Sequence, residues 1–308
     1  GRMIMNIFNF IDKKNYMFIT DAICDKTKEA FFRIDLADKN DILYRITCKV
    51  LPRKGERYLS EDIDLYVKYI KIGEKDSYES TVRRLEEKKQ SKEENYISEL
   101  EKIGELYWLF EYPEDAERKL KFPTNDFKFP KILENILKTL DPSIRKVEKL
   151  KDVNDAYIIF LKEKKIIIQN DEIFRTELLS SGTKEGVEIA RVLSSLLQGL
   201  NSFYYCDEKF SYIHSDIEKA VLSFMIASIK SNEQLFFTTH NTDILEMNLP
   251  KHTFSFFKKD YNSEECSIIC LNASDFLKRS TDSLRNAVEN DLFSIAPLTN
   301  LIYEIADI

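Results

Sequence analysis

Apolar residues over positions 2–11 (RMIMNIFNFI) recur at helical spacing and predict a helix with one buried face. Beyond it the period shortens. Residues 30–36 (AFFRIDL) and 42–50 (ILYRITCKV) mix alternation with β-branched and aromatic residues, and the intervening Asp38-Lys39-Asn40-Asp41 turn predicts an antiparallel hairpin. A further strand is expected over residues 65–72. From about residue 77 to 140 the pattern becomes helical. One long charged helix is expected over residues 81–110, its apolar face marked by Ile97, Leu100, Ile103 and Tyr107, and another over 131–140. Residues 81–95 have almost no apolar face and read as a solvated helix, a short coiled-coil arm being the alternative.

The second half alternates differently. Residues 157–161 and 166–169 flank Lys162-Glu163-Lys164-Lys165 and predict a hairpin with a basic tip. Helices are expected at 185–200, 215–230 and 242–247, and strands at 203–206, 234–238, 253–257 and 267–271. Strands that are continuous apolar runs, alternating with helices, imply a parallel sheet buried on both faces, with ligands at the carboxyl ends of the strands. The expected organisation is therefore α/β: an N-terminal helix with an antiparallel β part (residues 1–76), a helical insertion (77–150) and a C-terminal lobe (151–308).

The strand ends carry the candidate chemistry. Phe203-Tyr204-Tyr205-Cys206 runs into Asp207-Glu208, so two acids stand at a sheet edge. An aspartate there can hold Mg2+ and a neighbouring glutamate can deprotonate a water, although a buried strand leaving into a polar loop explains the pair equally well. The strand at 234–238 ends in Thr239-His240-Asn241, where His240 either donates to a phosphate oxygen or lies exposed before the next helix. Leu179-Ser180-Ser181-Gly182-Thr183-Lys184 precedes a long helix and offers N–H groups to an anion, or is a serine cap with a glycine turn.

Composition narrows the chemistry. Seven glycines in 308 residues, about 2% against a usual 7% or so, leave little material for glycine-rich phosphate loops. A net charge of −7 excludes a uniformly basic nucleic-acid binder. Between Arg118 and Lys165, however, 13 basic residues face 7 acids, a local excess of +6 that makes DNA contact a candidate beside the simpler reading of solvated helices and a hairpin tip. Five scattered cysteines (Cys24, Cys48, Cys206, Cys266, Cys270) suit reduced thiols, and the Cys266/Cys270 pair has no second pair to complete a zinc site. No apolar run reaches the roughly 18 residues of a membrane span and no signal peptide is visible, so a cytoplasmic protein is expected.

In order and spacing, the segments LSSGTK, FYYCDE, KFSYIHSD and FFTTHN resemble the signature motif, Walker B strand, D-loop and switch-histidine loop of the ABC-type ATPase superfamily. The branch they are similar to is the OLD-like and SMC-like prokaryotic AAA-labelled ATPases; the likeness spans residues 178 to about 257, with Thr183 where transporters usually carry glutamine and His214 where this branch commonly has a Leu-His pair. The resemblance implies an ABC-ATPase-like head: a parallel sheet flanked by helices, an antiparallel β subdomain and a helical insertion. It implies ATP and Mg2+, with Asp207 on the metal, Glu208 as general base and His240 at the γ-phosphate. Ser180, Ser181, Gly182 and Lys184 would bind nucleotide held by the partner in a head-to-tail homodimer. No G-x-x-x-x-G-K-S/T occurs in the sequence, so the resemblance implies a phosphate-binding loop upstream of Gly1. Only about fifty residues follow Phe257, too few for an OLD-type nuclease domain, so a separate effector, nuclease or toxin, is expected in an anti-phage or DNA-related process. The alternative is a degenerate, non-hydrolysing ATPase-fold scaffold or DNA-binding module.

Overall fold

The structure is a computed structural model. It describes the chain except for residues 54, 56, 113–127, 151–152, 154–155, 163, 170–171, 174–179, 211, 261–266, 280, 297–299, 304 and 306–308. The first half forms α1 (Arg2–Lys13), α2 (Met17–Thr20), β1 (Ala30–Ala37), β2 (Ile42–Val50), β3 (Ile63–Lys71), α3 (Tyr78–Glu87), α4 (Tyr96–Leu100), β4 (Trp108–Glu111), α5 (Phe129–Leu140) and β5 (Ile144–Lys149). The second forms β6 (Ala156–Leu161), β7 (Lys165–Gln169), β8 (Glu172–Ile173), α6 (Ser181–Gln198), β9 (Phe203–Asp207), α7 (Ser215–Ser228) and β10 (Gln234–Thr238). It ends with β11 (Ser255–Asp260), β12 (Ser267–Asn272), α8 (Ala273–Phe276), α9 (Leu284–Glu289) and α10 (Asn300–Tyr303). The architecture is mixed α/β, with several small sheets, one of them parallel.

The chain divides into two compact units, the first built from residues 1–115, 195–207 and 229–237. Its antiparallel sheet β1-β2-β3 arises from strict alternation: Tyr44, Ile46, Cys48 and Val50 of β2 and Ile63, Leu65 and Val67 of β3 are buried on one face. The β1–β2 turn is set by Asp38, whose Oδ1 accepts from the Asn40 and Ile42 N–H groups at 2.9 and 3.0 Å, and by Asp41 in a left-handed conformation (φ 58°). Helix α1 covers the sheet with Phe10 and Ile11, while Phe8 joins a second cluster with Phe110, Tyr112 and Tyr205.

Beneath Phe8 lies the parallel sheet, in the order β10-β9-β4. β4 pairs parallel with β9, Trp108 opposite Phe203. Gln234 N–H donates to the Ser202 carbonyl (2.9 Å) and Glu208 N–H to the Thr238 carbonyl (3.1 Å), so β10 also runs in the direction of β9.

The second unit comprises residues 116–194, 208–228 and 238–308. Helix α5, begun by Pro130 in its first turn, packs Phe129, Leu133 and Leu137 on the antiparallel sheet β5-β6-β7-β8 and on Val187 and Ala190 of α6. The close approach needs Gly186: a Cβ there would meet Leu140 Cδ1 at 2.5 Å. A separate cluster of Ala273, Leu284, Ala287 and Phe293 anchors the β11–β12 hairpin.

Several expectations are corrected. Residues 81–110 are not one helix: α3 ends at Glu87, α4 is a short turn of helix, and Trp108–Glu111 is a strand of the parallel sheet. Of the predicted apolar face, Leu100 is buried but Ile97 and Tyr107 are exposed; Tyr96, one turn before Leu100, packs inward instead of Ile97. The stretch 77–150 thus holds strands as well as helices. Residues 242–247 form a 3-10 turn, Thr242–Glu246, rather than an α-helix. The strands expected at 253–257 and 267–271 pair with each other as an antiparallel hairpin and do not extend the parallel sheet. The hairpins β1–β2 and β6–β7, the strands β9 and β10, and helix α7 lie where the pattern puts them, to within a few residues.

Part of the basic stretch between Arg118 and Lys165, including Arg118, Lys119, Lys121 and Lys151, lies outside the described residues, as do Leu179 and Cys266. Cys24, Cys48, Cys206 and Cys270 are free thiols. No described helix is long and apolar enough to cross a membrane.

Candidate functional site

β9 delivers Asp207 to its carboxyl end because Tyr204, Tyr205 and Cys206 are sealed in the interior. Burial, and then the neighbouring Asp207 charge, pushes the Tyr205 phenol up to about 12. The amino end of α1 abuts the Asp207 carboxylate: a Cβ added to Gly1 would lie 2.2 Å from its Oδ2. A carboxylate beside a helix amino end is favoured by the helix dipole.

Glu208, the next residue, turns the chain in a left-handed conformation (φ 53°) that is uncommon outside glycine and costs about 1 kcal/mol. Its N–H is held by both the carbonyl (3.1 Å) and the hydroxyl (3.0 Å) of Thr238 at the end of β10. This turn brings the Glu208 carboxylate to 2.8 Å from Nε2 of His240. The two side chains are 42% and 80% exposed. A contact so open to water contributes little to stability and leaves the carboxylate and imidazole accessible to solvent. A carboxylate here can accept a proton from water while the imidazole donates to an anion.

The segment before α6 takes a different form. Ser180 Oγ accepts the Thr183 N–H at 3.1 Å and shares a 2.7 Å hydrogen bond with Thr183 Oγ1, which makes Ser180 a helix cap. The helix begins at Ser181, earlier than expected, with Ser181 and Lys184 exposed and Gly182 half-buried. A Cβ at Gly182 would sit 3.4 Å from the Tyr212 carbonyl, an ordinary contact, so packing does not demand glycine there. Among the described residues no hydrogen bond or ion pair joins Ser180, Ser181, Gly182 or Lys184 to the Glu208–His240 pair. A link to α6 runs instead through Lys209, whose ammonium approaches Glu185 at 3.9 Å with both side chains about 8% exposed. His214 is exposed, and its Nδ1 accepts from the Asp216 N–H at 3.2 Å.

Sequence reasoning passes over the residues that hold the His240 loop. Glu218 of α7, only 4% exposed, accepts from Thr239 Oγ1 at 2.6 Å and from Asn241 Nδ2 at 2.8 Å. Ser215 Oγ donates to Asp243 Oδ2 at 2.5 Å and accepts from Asn241. The Asp243 carboxyl lies below the usual carboxylate range, through the Ser215 hydroxyl first and then Lys219 and Arg285. The signal in the sequence is slight: a glutamate three residues after Ser215.

Among the described residues no three His, Cys, Asp or Glu side chains gather as a metal site. Asp207 is a single hard oxygen donor, which suits Mg2+, an ion that takes one or two carboxylates and completes its shell with water and phosphate. A cavity of about 550 Å3 elsewhere, lined by Lys251, His252, Lys278 and Arg279, contains none of the candidate residues. No protein-family model matches the chain, and no curated protein matches it either.

Proposed function

We propose that the chain is part of an ABC-type, OLD-like or SMC-like ATPase that hydrolyses ATP and, by dimerising around it, controls a separate effector in the cytoplasm. The observation that carries this reading is the 2.8 Å Glu208–His240 pair, formed where two neighbouring strands of a parallel sheet end and left open to solvent. The place of Asp207 against the amino end of α1 supports it, since a helix amino end favours phosphate oxygens as it does carboxylates.

In this reading Asp207 would hold Mg2+, which would supply charge neutralisation at the phosphates. Glu208 accepts the proton of the attacking water as its oxygen bonds to the terminal phosphorus; the bond from that phosphorus to the bridging oxygen breaks, and ADP leaves with the bridging electrons. His240 donates Nε2–H to a terminal phosphate oxygen and orients Glu208 between turnovers. Ser181, Gly182 and Lys184, at the start of α6, meet the γ-phosphate of nucleotide bound by a second copy, with Ser180 supporting them as cap.

Equilibrium titration of the full-length protein with ATP and Mg2+ tests the proposal. Micromolar binding, and an ATP-bound dimer that accumulates in Glu208→Gln, are expected; absence of nucleotide binding overturns it. Binding without turnover in the unaltered protein marks instead the non-hydrolysing scaffold. DNA contact through the basic stretch predicts affinity that falls steeply between about 50 and 200 mM salt.

A further inference from the structure

Packing does little to hold His240. With four-fifths of its side chain exposed, its place opposite Glu208 depends on the backbone that carries it. That backbone is gripped on both sides by one buried carboxylate: Thr239, just before His240, and Asn241, just after it, donate to the two oxygens of Glu218 at 2.6 and 2.8 Å. Thr239 Oγ1 also accepts the Asn241 N–H at 2.9 Å, so its proton is directed to Glu218 and the three-residue loop closes on itself. Both partners are therefore donors, and only an acceptor-only group satisfies them together. A glutamate in the first turn of α7 needs no burial to favour the helix dipole, yet this one is 4% exposed.

We infer that Glu218 is a positioning residue: its carboxylate clamps Thr239 and Asn241 and thereby sets the distance between His240 and Glu208. The clamp extends through Asn241 to Ser215, which bonds Asp243, and Asp243 faces the Arg285 guanidinium at 3.6 Å. α7 and the loop after β10 are thus locked through one polar chain. The inference deepens the proposed ATPase site and rests on it only for its kinetic consequence; the geometric claim stands without nucleotide.

The test reads His240 directly. The chain has three histidines, so the full-length protein carrying 13C-labelled histidine shows few ring cross-peaks from this region, and His240 is assigned by its loss in His240→Gln. In Glu218→Ala the His240 cross-peak is expected to move toward its position in Glu208→Ala, where the pair is broken, while His252 stays in place. Glu218→Gln, which keeps one acceptor, is expected to fall between Glu218→Ala and the unaltered protein. Thr239→Val removes a single hydroxyl from the loop side and is expected to shift the same peak, which keeps the test alive should Glu218→Ala not fold. A His240 signal unmoved in folded variants overturns the inference. In turnover assays kcat is expected to fall roughly tenfold in Glu218→Ala with KM unchanged; a raised KM at unchanged kcat also overturns it. A protein that hydrolyses no ATP defeats the ATPase reading, while the histidine spectra still decide the clamp.

Discussion

The β1–β3 sheet and the loops that follow β9 and β10 use charged residues in opposite ways. In the sheet, Arg45 is held between Asp35 (2.6 Å) and Glu86 (2.8 Å), with the Tyr78 hydroxyl donating to Asp35 at 2.6 Å. Glu99, fully buried, takes the Val67 N–H at 2.6 Å and the Lys102 ammonium at 2.8 Å. Each charge there completes the hydrogen bonding of a backbone or a neighbour. At the strand ends, Glu208 and His240 face water and each other, with Glu208 on a backbone turned left-handed. The first arrangement supplies stability. The second leaves its carboxylate and imidazole open to solvent.

The sharpest way to break this contrast is Glu208→Gln. Turnover is expected to fall by about 10²- to 10⁴-fold, the usual loss when a general base is removed. Thermal stability should barely move, because glutamine meets the same left-handed strain and so exposed a polar contact contributes at most about 1 kcal/mol. A large drop in melting temperature would show that Glu208 is structural. Ile46→Ala, on the buried face of β2, should do the reverse: a loss of about 3 kcal/mol by denaturant unfolding, from the methylenes removed and the cavity left, with turnover per folded molecule unchanged.

What the sequence discloses follows the same division. Strand β2 is readable because Tyr44, Ile46, Cys48 and Val50 alternate with less buried residues, a period a one-sided sheet requires. β4 is not, because Leu100, Ile103 and Tyr107 continue a helical spacing by coincidence up to Trp108, and the pairing that makes Trp108–Glu111 a strand lies with β9, almost a hundred residues away. β11 and β12 are readable as strands, but an apolar run does not announce its partner, and each finds the other. At the site, Asp207, Glu208 and His240 stand out as polar residues ending apolar strands. Glu218 does not, since a glutamate in a helix ordinarily faces water and only the folded loop shows why this one is buried.

Glu134 supplies an intermediate effect and a pH signature. This α5 carboxylate accepts from Lys138 (2.9 Å), from the Val147 N–H (3.1 Å) and from Lys131 (3.0 Å), and those contacts, Lys138 first, hold its pKa at about 2. A carboxyl depressed on folding stabilises the folded form above its ordinary pKa, near 4.5, and loses that contribution as pH falls toward 2. Glu134→Gln is therefore expected to cost about 2 kcal/mol at pH 7, and the difference from the unaltered protein should shrink steadily below pH 4.5. A difference independent of pH would remove the charge from the explanation.

The smallest effect tests the idea that the site accepts strain. Lys14 and Asp41 also have positive φ, but they close a helix and a hairpin, where such a conformation is the ordinary solution. Glu208 differs: its left-handed turn lies between a strand and a loop, and in the proposed reading its carboxylate is what the position requires. Glu208→Gly relieves about 1 kcal/mol of backbone strain, offset in part by the greater entropy of the unfolded glycine chain. A net gain of roughly 0.5 kcal/mol, read as a small rise in denaturation midpoint, is expected, with turnover lost as completely as in Glu208→Gln. Should the glycine variant be less stable, the left-handed conformation carries no net strain at this position, the backbone N–H contacts to Thr238 being kept in both proteins.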